Sequence, residues 1–323
     1  MNYLLHGVTL ALTWFLATNV AASAVVALVT NRTNGVQYAR WSAPLLLLLR
    51  LLPSTASVLF VVLVFVPSYW KFEPREFTEG FDLTLTLAAA AAGALLVNAF
   101  VRGAAAWWHA IRRVRAWTQT AEPFALDGIG IPAFRVEAEQ PVMALVGIVR
   151  SRLLVTRGLI DALTPEELAA SISHEVGHHR AWDNLKRLAM RGTPDLLGWT
   201  PAARRLERAW AAAAEHAADA GASAAADRAA RLVLASALVK IARLMPPPAA
   251  FAEPISTLVG DGEIASRVRR LIDEAPPRDA SRRRTSSARL ALVVAAAASL
   301  AFAYAPLLAT VHHATEVLVH RLP

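Results

Sequence analysis

Four long apolar stretches, at 4–29, 44–66, 83–101 and 290–308, constrain this chain more than any other feature. A helix needs roughly 20 mostly apolar residues to cross the hydrocarbon of a bilayer, about 30 Å thick. Each stretch approaches or exceeds that length, so each reads as a transmembrane helix. Arg50 and Pro53 interrupt the second. Arg50 is expected to snorkel to the surface, or the span is expected to begin at Leu51. The third is rich in Ala and is followed by Trp107 and Trp108, where an interfacial aromatic belt would sit. The first basic residue is Arg32, beyond the first stretch. A cleaved leader carries positive charge ahead of its apolar core, so this stretch reads as a retained anchor.

Composition agrees with a membrane protein. Hydrophobic residues make up 55% and charged residues 18%, whereas ordinary globular domains carry about 25% charge. A disordered or fibrous chain could not be this apolar. Cysteine is absent, which excludes a disulfide scaffold, a cysteine nucleophile, thiolate zinc sites and iron–sulfur clusters. Only Lys71, Lys186 and Lys240 among the 33 basic residues are lysine. With so much Ala, that Arg bias reads as GC-rich codon usage and a bacterial source.

The basic residues also set an orientation. Arg32 and Arg40 follow the first stretch; Arg102, Arg112, Arg113 and Arg115 follow the third; Arg278, Arg282, Arg283, Arg284 and Arg289 precede the fourth. The loop between the second and third holds only Lys71 and Arg75 beside four acids. The basic flanks fall on one side if the N-terminus is outside, which puts the segment between the third and fourth stretches in the cytoplasm. The net charge of +8 then follows from topology and anionic headgroups. No aromatic interleaving of the basic residues suggests direct nucleic-acid binding.

The reading is therefore an α-helical integral membrane protein of about four spans, with a cytoplasmic α+β, mostly helical domain. Residues 1–115 form a three-helix membrane domain, 116–288 the cytoplasmic domain, and 289–323 a last span with a short tail. Within the middle segment, 132–137 reads as a strand, and 142–149 with 153–156 as a hairpin or two linked strands separated by 150–152. Thr164-Pro165-Glu166-Glu167 is a helix start with a cap, a proline at the first position and a capping box. That helix runs to about Arg180. A second begins at Thr200-Pro201 and runs to Ala222; further helices cover 227–244 and 261–274. Residues 245–254 are a proline-rich loop, and 278–287 a basic linker.

The first of these helices carries His174-Glu175-Val176-Gly177-His178. Residues four apart share a helix face, so both imidazoles can reach one ion. Glu175 then projects toward the ion's open side, where it can take a proton from water. Such a pattern arises by chance in about one comparable chain in a hundred. An amphipathic helix with surface histidines is the plain alternative, against which stands the capped helix following strands between membrane spans. A zinc site of this kind needs a third protein ligand and a vacant position. Glu215-His216-Ala217-Ala218-Asp219, on the second helix, offers Glu215 as that ligand and Asp219 to accept the remaining ring N–H of a ligand histidine. Acids at this spacing are common on solvated helices, but here the surroundings are almost all Ala. His179, His216 and Arg180 are candidates to stabilise an oxyanion, and no Tyr lies between Tyr69 and Tyr304. Asp183 is expected only to cap the next helix.

HExxH followed by ExxxD is the pattern of gluzincin metallopeptidases. The run PVMALVGIVRSRLLVTRG from Pro141, with LTPEELAASISHEVGHHRAWDNL after it, resembles the membrane zinc peptidases of the BlaR/MecR antibiotic-sensor family, and is similar to the related HtpX and CAAX prenyl protease family. Three spans, a cytoplasmic zinc domain and one further span match the BlaR/MecR arrangement. Only a short tail follows the last stretch, so an outer sensor domain is not expected there. The resemblance implies one Zn²⁺ held by His174, His178 and Glu215, with Glu175 as the base and Asp219 supporting a ligand. It also implies a bacterial inner-membrane protease that cleaves a protein substrate, a cytoplasmic DNA-binding repressor, in signal transduction. Clearance of damaged membrane proteins is the alternative, and a non-catalytic receptor or scaffold a third. An extended substrate is expected to add to an edge of the 142–156 sheet. Oligomeric state is left open.

Overall fold

The computed structural model describes residues 2–33, 41–74, 83–126, 129–223, 228–244, 256–257, 264–273 and 304–319. Helix α1 spans Asn2–Arg32. Helix α2 (Ala43–Phe60) continues through a π-turn at Val61–Phe65 into α3 (Val66–Phe72), so Pro53 and Arg50 lie inside one unbroken rod. Helix α4 spans Leu83–Thr118. These three rods are long and apolar enough to cross a membrane. Lipid offers no hydrogen bonds, so buried hydroxyls must be satisfied within the helix. Thr13 and Thr30 of α1 do this by donating to the carbonyls of Thr9 at 2.9 Å and Val26 at 2.6 Å. Large apolar side chains such as Leu4, Leu59, Val62, Leu87 and Phe100 point outward, as a lipid-facing surface requires. The fourth expected span, 290–308, lies outside the described residues except for 304–308. The described helical stretch 304–319 packs on the bundle, where Ser68 donates to Leu308 O at 2.7 Å and Trp14 Nε1 to Thr315 Oγ1 at 3.1 Å.

At 36 residues, α4 is about 54 Å long, well over the hydrocarbon thickness. Its last turns leave the bilayer level and lay Val114 and Trp117 on the sheet of the second domain. That sheet has the order β1-β2-β4-β3-β5, with β1 at Glu122–Pro123, β2 at Ala133–Val136, β3 at Met143–Val146, β4 at Arg152–Thr156 and β5 at Ser256–Thr257. β3 and β4 pair antiparallel, and β2 runs parallel to β4. Alternation sorts their side chains: Ala144, Val146 and Leu154 meet α4, whereas Met143, Leu145, Leu153 and Val155 face the domain core. Both faces are covered, which explains why β3 and β4 read as near-continuous apolar runs.

The remaining helices are α5 (Arg157–Ala162), α6 (Pro165–Arg180), α7 (Asp183–Arg191), α8 (Pro201–Ala222), α9 (Arg228–Leu244) and α10 (Ile264–Asp273). The capping box forms as expected: Thr164 Oγ1 accepts from Glu167 N, and Glu167 Oε2 accepts from Thr164 N. Glu167 also accepts from Ser236 at 2.6 Å and Lys240 at 2.7 Å on α9, so one side chain both starts α6 and ties it to its neighbour.

The bundle and the second domain are joined by buried polar groups. Arg50 does not snorkel. It is 2% exposed, because the carboxylates of Asp195 at 2.9 Å and Glu207 at 2.7 Å meet it inside. Asp195 also accepts from Ser54 Oγ and from Gly198 N. Asn19 of α1 donates to Pro194 O and accepts from Leu196 N, and Arg102 of α4 donates to Thr193 O. Thr193, Pro194 and Leu196 thus find backbone partners among the membrane helices, as non-helical chain at this depth must.

Candidate active site

The site is built where α6 crosses α8 under α10. Their approach is close because Gly177 of α6 faces Ala218 of α8; a Cβ placed on Gly177 would stand 3.3 Å from the Ala218 Cα. At this crossing His174 Nε2, His178 Nε2 and Glu215 come together. The two imidazole nitrogens are 3.2 Å apart. Glu215 Oε2 lies 3.4 Å from His174 Nε2, and Oε1 lies 3.5 Å from His178 Nε2. Zinc with ligand bonds of about 2.0–2.1 Å in tetrahedral array separates neighbouring ligand atoms by about 3.3 Å, so this triad has the spacing that zinc requires.

Each histidine is oriented from behind. His174 Nδ1 lies 2.9 Å from Asp219 Oδ1, and His178 Nδ1 lies 2.7 Å from Asp183 Oδ2. The sequence reading had assigned such support to Asp219 alone and made Asp183 a cap. In the structure the residue before α7 is Trp182, held at φ +58°, a conformation non-glycine residues rarely adopt. That turn brings Asp183 back beneath the site. Asp183 was hard to assign from sequence because a helix-starting Asp is ordinary.

Electrostatics favour a cation here. Burial presses the His178 imidazole toward neutrality, but Asp183 and Glu215 outweigh it and push its pKa up to about 10. His174 is raised as well, burial being outweighed by Asp219 and Glu215. Burial works to raise Glu215, yet the two histidines and Arg267 hold it well below the ordinary carboxylate range. Glu175 moves the other way, raised by complete burial. Both of its oxygens are inaccessible and lack a hydrogen-bond partner. A buried carboxylate without donors is costly, and water held at an ion beside it would supply the missing donor.

Arg267 was not anticipated. It is 1% exposed on α10, and it donates to Asp219 through Nε at 2.8 Å and Nη2 at 2.6 Å. Its Nη1 lies 3.1 Å from Glu215 Oε2. The signal available was the amphipathic run 264–273, in which Arg267 falls on the face of Leu271, the buried side. His179, His216 and Arg180, named as oxyanion candidates, make none of these site contacts.

The sheet edge differs from expectation. β3 and β4 are both interior, because β2 covers β4, and β5 pairs with β3 at Ala144 and Leu145. Asn184 Nδ2 further engages the carbonyls of Leu145 and Gly147. Among the described residues the outer strands are β1 and β5, so the 142–156 hairpin offers no free edge along its paired length.

Residues 132–257 match the model of peptidase family M48. That segment is similar to the M48 metallopeptidases. No curated protein matches the chain. The M48 match and the buried His174, His178 and Glu215 triad together imply zinc as the cofactor. The chain is thus a membrane zinc metallopeptidase, similar over residues 132–257 to peptidase family M48. Arg267 lies beyond the matched residues.

Proposed function

We propose that this membrane M48 peptidase is an endopeptidase that cleaves protein substrates at the cytoplasmic face of a bacterial inner membrane. The observation carrying the reading is the triad spaced at 3.2–3.5 Å with the fully buried, donorless Glu175 beside it. His174, His178 and Glu215 would hold the zinc, which when bound would supply a Lewis acid for the scissile carbonyl and lower the pKa of water. Glu175 takes the proton from the attacking water and returns it to the leaving amine. Asp219 and Asp183 keep the two imidazoles in the tautomer that leaves Nε2 free to ligate. Cytoplasmic orientation is supported by the fold, since the peptidase domain packs at the end of the bundle that carries Arg32 and Arg102.

Cleavage of a cytoplasmic repressor rests on the BlaR/MecR resemblance. Turnover of damaged membrane proteins is the alternative reading, and it too is compatible with the M48 match. Glu175→Gln should retain zinc and lose protein cleavage by about 10²–10⁴-fold, checked by metal analysis alongside a protein-degradation assay in detergent. Unchanged cleavage would refute the endopeptidase assignment. Crosslinking Glu175→Gln in its native cells then separates the two readings: a range of membrane proteins supports turnover, and one DNA-binding protein supports signalling.

A further inference from the structure

Between α4, α7 and the end of β3 lies a cavity of about 640 Å³. Arg50, Arg102, Arg113, Arg187 and Arg191 line it against a single acid, Glu207. Glu207 is already bound to Arg50, which also holds Asp195. Arg187 Nη2 reaches outside the cavity to Glu215 Oε1 at 3.9 Å, so among the lining residues themselves the arginines outnumber the acids five to one. Arg102 and Arg187 each keep a buried Nε donor with no acceptor. Their other contacts fix them in place: Arg102 Nη2 donates to Thr193 O at 2.9 Å, and the Arg187 guanidinium lies over the Trp210 ring at 5.7 Å. A cavity lined by five guanidinium groups and one carboxylate is complementary to an anion. The planar guanidinium fork matches phosphate oxygens best.

Position selects the source of that phosphate. Arg102 immediately follows the apolar run of α4, Arg50 lies within the second span, and Trp107 and Trp108 stand exposed on the next turns of α4. The cavity therefore sits at headgroup depth. His174, Glu175, His178 and Glu215 do not line it, so a peptide held there would not offer its scissile bond to them. We propose that this cavity binds the phosphate headgroup of an acidic phospholipid, at a site beside the zinc centre that shares none of its ligands.

The test uses the full-length protein released from nanodiscs of equimolar phosphatidylglycerol and phosphatidylcholine, with retained lipid counted by native mass spectrometry. Phosphatidylglycerol should be retained over phosphatidylcholine by about tenfold, the scale of one or two charge-assisted hydrogen bonds. Arg113→Gln with Arg191→Gln should abolish that preference. Arg204→Gln with Arg208→Gln, the same charge change on an exposed face of α8, should leave it within about twofold. Equal retention of the two lipids by the unaltered protein would overturn the proposal without any variant. Equal loss in both variant pairs would also overturn it, because a diffuse surface field would then explain the preference. Thermal protection in lipid-free detergent by inorganic phosphate, or by a polyglutamate peptide, matching that of phosphatidylglycerol would reassign the cavity to a free anion or a substrate segment.

Discussion

Two arginines among the described residues are fully buried, and each holds one Asp and one Glu. Arg50, inside the second span, meets Asp195 and Glu207; Arg267, over the peptidase site, meets Asp219 and Glu215. The chemistry is the same, yet one group is a structural joint and the other part of a metal centre. Around Arg50 the account closes: Asp195 accepts from Arg50, Ser54 and Gly198, Arg50 reaches Met190 O, and the second acid, Glu207, is 41% exposed and partly solvated. Around Arg267 it stays open. Asp219 and Glu215 exceed the one guanidinium by a negative charge, Glu175 adds another when ionised, and two imidazole nitrogens face the same point. A buried ion pair alone does not mark a function; unpaired atoms beside it do.

The largest effects should come from removing the arginines. Taking one partner from a buried ionic group costs about 3–5 kcal/mol. Arg50→Met and Arg267→Met should both lose stability on that scale when metal-free, measured by chemical unfolding in detergent. Added zinc should restore much of the loss in Arg267→Met, since an ion at the triad neutralises the same carboxylates, and none of it in Arg50→Met. If zinc rescued both or neither, the contrast between joint and metal centre would fail.

The next effect separates the supporting aspartates. Asp183→Asn takes the anionic acceptor from His178 and should weaken zinc binding about 10–100-fold, read by titration against a chelator. Asp195→Asn should lower stability while leaving zinc affinity of the folded protein within about twofold. The smallest effect concerns Glu167. Burial acts to raise its pKa, but Lys240, Ser236 and the Thr164 N–H bring it below the ordinary value. Its folded pKa is depressed, so its contribution is present above the unfolded value near pH ~4.3 and is lost as pH falls through the folded one. Glu167→Gln should therefore cost about 1 kcal/mol at neutral pH, a difference that disappears in strong acid.

How much of this was legible depended on whether a residue acts locally. The capping box at Thr164, helix α6, the β3–β4 hairpin and the HExxH ligands are set by spacing within a few residues, and the sequence shows them directly. Glu215 was reachable because its Ala-rich surroundings made an acid conspicuous. Arg50 was read as a defect in a span, since its partners lie 145 and 157 residues away. Arg267 was missed for the same reason, and Asp183 because its role depends on a left-handed turn at Trp182. The five-strand sheet order was equally hidden, as β2 reaches β4 past β3 and β5 arrives from far along the chain.

Gly177 carries one more consequence. The two variable positions of an HExxH are usually treated as free, yet here the second sets the gap between the helix bearing both histidines and the helix bearing Glu215. A methyl group at 177 would force α8 outward by a few tenths of an ångström, and zinc–ligand distances tolerate only about 0.2 Å. The bore of the metal site is machined by a contact between two backbones, so a residue with no donor atom decides how tightly the donors close.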